Sequence, residues 1–108
     1  MDVVADLTAT PPGVTLAGPD DLGSFKVLAR GAQDDRAGLE RALEGVGTVA
    51  EDGHAFILVE AVRRLAGERA EDPAWSEGFE KMLAYAGSKG WIDPSGTAIQ
   101  AHVEWHPA

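Results

Sequence analysis

The stretch from Asp72 to His106 constrains this chain more than any other, because its pattern switches once from helical to extended spacing. Asp72-Pro73 is a helix start, with the acid as cap and proline at the first helical position. Trp75, Phe79, Met82, Leu83 and Ala86 then fall on one apolar stripe, while Glu77 and Lys81 stand four apart on the wet side. Gly87 and Gly90 offer termination. Trp91-Ile92 opens a strand, Asp93-Pro94-Ser95-Gly96 is a type I turn signature, and Thr97 to Trp105 returns. On the return strand Ile99, Ala101, Val103 and Trp105 share one face. Gln100, His102, Glu104 and His106 share the other.

Upstream elements are shorter. Residues 1–23 are rich in Pro, Gly, Thr and Asp and read as a partly irregular arm, with Val14-Thr15-Leu16 as a short edge strand. Ser24 to Arg30 alternates, placing Phe25, Val27 and Ala29 on one face of a half-buried strand. Asp34-Asp35 caps a helix carrying Leu39, Ala42, Leu43 and Val46, which Gly45 and Gly47 end. Thr48-Val49-Ala50 is a short strand, and Glu51-Asp52-Gly53 is a hairpin turn. His54 to Val59 suits a buried strand, while Leu58, Ala61, Val62, Leu65 and Ala66 form a helical stripe. The switch is placed at Leu58–Val59, with an unbroken helix from His54 as the rival.

Together these elements predict an α+β domain over residues 24–108: a small antiparallel sheet with two or three helices packed on one face. A winged-helix-like arrangement is the alternative, and it requires residues 54–66 to be wholly helical. A chain of 108 residues can bury one modest core without metal or disulfide. No cysteine is present, which removes disulfides, thiolate zinc sites and thiol nucleophiles.

Eighteen acids against nine bases disfavour direct nucleic-acid binding and anionic membranes, since phosphate recognition needs clustered Lys and Arg. Mimicry of a nucleic acid would need acids arrayed along one face, whereas these are dispersed. The amino terminus is acidic and lacks the basic region of a signal peptide, and the longest apolar run, Ala55 to Val59, is too short to cross a bilayer. A cytoplasmic location with no membrane association is expected.

The candidate chemistry sits on the last strand. His102, Glu104 and His106 are residue types that ligate zinc, iron or manganese, and alternation puts them on one side. A rise of roughly 3.3 Å per residue separates His102 from His106 by about 13 Å, so a straight strand cannot bring all three to one ion. His54 or Asp93 would have to fold across as further ligands. His102 with Glu104 could alternatively form an acid–base pair. The plain reading is a solvated sheet face. The three tryptophans fall at positions their elements need for packing, and Tyr85 lies off the main helical stripe. No phosphate loop, G-x-S-x-G elbow or H-E-x-x-H helix occurs, and no cofactor is expected.

The resulting expectation is a small acidic interaction module that binds another protein or self-associates through a sheet edge. The alternative is a small metal- or ligand-binding enzyme using the polar face of the last strand.

Overall fold

In the computed structural model, which describes residues 1–107, the helix-to-hairpin pattern is realised as one long helix and one long strand. The strands are β1 (Asp2–Asp6), β2 (Gly13–Ala17), β3 (Lys26–Arg30), β4 (Gly47–Val49), β5 (Ala55–Leu58) and β6 (Ala98–His106). The helices are α1 (Arg36–Ala42), α2 (Val59–Ala66) and α3 (Pro73–Ser88), with a 3-10 segment, Gly67–Glu71, between α2 and α3. The fold is α+β.

All six strands join one sheet in the order β2-β1-β3-β6-β5-β4. It is mixed rather than antiparallel, and larger than the sequence pattern implies: β1 pairs β3 in parallel, and β3 pairs β6 in parallel. Parallel neighbours need a long crossover, and the three helices between β3 and β6 supply one. Residues 1–23 contribute two strands. The expected edge strand is β2, and β1 lies between β2 and β3 with Val3 and Ala5 fully buried.

The long strand β6 changes partners midway. Ala98–Ala101 pair with β5, and His102–His106 pair with β3. The sheet curls around this seam, so that α2 lies against both β5 and the far edge strand β2. The winged-helix alternative is excluded by β5, which is extended over Ala55–Leu58 and bonded to β4 and β6. Helix α2 begins at Val59, where the alternation of β5 gives way to helical spacing, and stops at Gly67 with φ 60°.

One core unites the layers. Val3, Val27, Ala29, Ile57, Ile99 and Ala101 point inward from the strands and meet Leu39, Leu43, Val62 and Phe79 from the helices. Burying a side chain such as Phe79 contributes roughly 1.5–3 kcal/mol. Phe79 is stacked on Trp75 with ring centroids 4.9 Å apart, and the Trp75 indole N–H donates to the Pro19 carbonyl at 2.7 Å. Met1 is buried too: its ammonium donates to the Asp21 carbonyl (3.0 Å) and the Ser24 carbonyl (3.1 Å), tying the 18–24 loop to the start of β1.

Candidate functional site

Alternation along β6 turns His102, Glu104 and His106 away from this core, as their spacing predicts, and the parallel register sets Lys26, Leu28 and Arg30 of β3 beside them. The side chains sort into two groups. Glu104 accepts from Lys26 Nζ at 2.5 Å through Oε2 and lies 3.0 Å from His106 Nε2 through Oε1. The Lys26 hydrogen bond, then that of His106, pulls the Glu104 carboxyl down to about 2. Such a carboxylate stays charged at neutral pH, far from the value that suits a general base there.

On the same face, His102 is approached from the β5 side instead. Because Ala55 pairs with Ala101, the next rung brings His54 toward His102, and their rings meet edge to face with centroids 6.0 Å apart. His54 Nδ1 lies 3.3 Å from Asp52 Oδ2 but makes no aligned hydrogen bond. The Asp52 carboxyl is held below its ordinary value, chiefly by the backbone N–H of His54.

Asp93 belongs to neither group. It sits opposite Ala98, about 13 Å along β6 from His102 by strand rise. Its carboxylate accepts from Ser95 Oγ (2.7 Å), Thr97 N (2.9 Å) and Ala98 N (3.0 Å), and so clamps the turn. Among the described residues no group of three or more His, Cys, Asp or Glu side chains is placed to hold a metal ion. The strand face thus brings His54 to His102, and Glu104 to His106 and Lys26, but leaves Asp93 elsewhere.

A second site was not visible in the sequence. Strand β3 begins opposite His102, and the Trp91-Ile92 segment takes the same edge of β6 lower down, through the Ile92–Ile99 bridge and the 2.6 Å bond from Gln100 N to Trp91 O. Both lie on this edge because β5 occupies the opposite one. Between them opens a groove of about 720 Å³, lined by Leu22, Phe25, Met82, Tyr85, Trp91 and Gln100 among others. That volume lies within the range of ligand-binding clefts.

The groove wall is aromatic and wet. Tyr85 is 58% exposed and Trp91 43%, and the two rings meet edge to face at 5.9 Å. Of the tryptophans read as packing residues, Trp75 is buried and Trp105 half-buried, but Trp91 is not a core side chain. It falls just past the end of α3, where chain reversal leaves its ring beside Tyr85. The one available signal was Tyr85 lying off the apolar stripe of its helix. Gly78 shapes the other wall: a Cβ there would stand 2.5 Å from Leu22 Cδ1, so its absence lets Leu22 rest on α3.

No acidic side chain lines the groove, in a chain with eighteen acids, and Lys81 is its charged lining residue. Lys89 reaches over the Tyr85 ring, its Nζ 5.5 Å from the centroid. No helix among the described residues is long and apolar enough to cross a membrane. Compared with models of known families, with curated proteins and with solved structures, the chain matches none.

Proposed function

We propose that this domain is a protein-interaction module, and that the groove between α3 and the Trp91 segment receives an apolar stretch of another protein. The observation that carries this reading is the exposed Tyr85–Trp91 pair. Large aromatic rings left in water cost hydrophobic free energy, and aromatic anchors are enriched where proteins bind one another. The two rings also contribute little to the core cluster, so their placement has no evident role in folding.

Selection of short peptides from a displayed random library tests the reading. The expected result is a set of peptides sharing an apolar anchor, whose binding falls at least tenfold with Tyr85→Ala or Trp91→Ala while each variant stays folded with a melting temperature within a few degrees of the unaltered domain. Selected peptides that bind both variants as tightly as the unaltered domain would overturn it.

A further inference from the structure

Lysine is scarce in this protein: three residues, Lys26, Lys81 and Lys89. Lys26 is held on the open sheet face by Glu104. The other two flank the aromatic groove. Lys81, Tyr85 and Lys89 follow one another at intervals of four along α3 and its C-cap, and so form a single stripe, cation–aromatic–cation. At 1.5 Å per residue, the two lysines stand roughly 12 Å apart along the helix axis with Tyr85 midway.

Neither cation is firmly committed. Lys89 rests over the Tyr85 ring and has no ion pair among the described residues. Lys81 lies 3.6 Å from Glu77 in an i,i+4 contact whose side chains are 78% and 73% exposed, an arrangement that water and salt screen. With no acid lining the groove, a negatively charged occupant meets attraction here on a molecule that repels it elsewhere.

We infer that the groove recognises an extended acidic peptide of the pattern acid–x–apolar–x–acid, its apolar side chain seated against Tyr85 and Trp91 and its two carboxylates on Lys81 and Lys89. The spacing argues for this pattern. In an extended segment alternate side chains face the same way, so both acids and the apolar residue between them point into one surface. The acids are then separated by about 13 Å, close to the lysine separation. This inference rests on the groove being a docking site, and it adds the chemistry of the partner.

The test uses the intact domain and short capped peptides built on Glu-Ser-Phe-Ser-Glu, with binding read from amide and indole N–H shifts in NMR spectra. The expected result is saturable binding, with shifts concentrated at Tyr85 and Trp91. Replacing both glutamates by glutamine should weaken it about tenfold, because each exposed ion pair accounts for roughly a two- to fivefold effect. Lys81→Met and Lys89→Met should each weaken the acidic peptide by about two- to fivefold and leave the glutamine peptide unaffected. Equal affinity of the glutamate and glutamine peptides would overturn the charge inference while leaving the docking site intact. Tighter binding of a peptide with its glutamates four residues either side of Phe would overturn the extended pattern. Absence of binding by every peptide would overturn both the inference and the reading beneath it.

Discussion

Lys26 and Glu104 are separated by 78 positions in the chain, yet their ammonium and carboxylate are 2.5 Å apart. The pair joins β3 to β6 across the open face of the sheet and sets a pH dependence. The Glu104 carboxyl is lowered from 4.5 to about 2, so its contribution to stability is complete above the ordinary carboxylate range. It is lost as pH falls from about 4.5 through about 2. Lys26 is raised above 10.5, so its share is present below that value and lost as pH climbs through the raised one. Urea unfolding across pH 2 to 7 should show Glu104→Gln with a flatter acid limb than the unaltered chain. Parallel acid limbs would mean that the pair contributes nothing.

Core and groove should respond differently to truncation. Phe79→Ala empties a fully buried site stacked against Trp75 and should cost about 3–5 kcal/mol. Trp91→Ala removes a ring that is 43% exposed, and its cost should stay below about 1 kcal/mol. Urea midpoints at constant m-value compare the two directly.

Gly47 of β4 pairs with Ile57 of β5 where there is no room for a side chain. A Cβ there would lie 2.2 Å from the Phe56 carbonyl oxygen and 3.0 Å from Ile57 Cδ1, and a backbone oxygen cannot swing aside. Gly47→Ala should therefore destabilise the domain by about 1–3 kcal/mol. Thr48→Ala, at the exposed neighbouring position, should change little. Thermal unfolding of the two variants provides the comparison.

Asp72 caps α3 by accepting from the Ala74 N–H at 2.9 Å, with Pro73 in the first turn. Asp72→Ala should cost about 1 kcal/mol, and Asp72→Ser much less. Equal losses in the two variants, measured by chemical denaturation, would mean that the cap hydrogen bond is not what matters.

What the sequence made legible was local. The period of Trp75, Phe79 and Ala86, the cap at Asp35, the turn at Asp93 and the switch at Leu58–Val59 each depend on neighbours within a few residues, and each is present. β1 was not legible. Val3, Val4 and Ala5 make only a three-residue apolar run between Asp2 and Asp6, and what makes them a strand is pairing with Gly13–Ala17 on one side and Lys26–Arg30 on the other. Parallel pairing has no local signature, so an antiparallel sheet was the natural expectation. The polar row of β6 could be read, but its neighbours Lys26 and His54 come from β3 and from the turn before β5. The groove draws on residues 22–25, 78–86, 91 and 99–100, four segments that no single period connects.

The divided pairing of β6 also orders events during synthesis. A β1–β2 hairpin and a β4–β5 hairpin can each close as soon as their own residues are available, but no strand other than β6 hydrogen-bonds one half of the sheet to the other. That junction waits for residues 98–106 to leave the ribosome. Until then Val27, Ala29 and Ile57 lack their neighbours on β6, so the sheet closes late in synthesis.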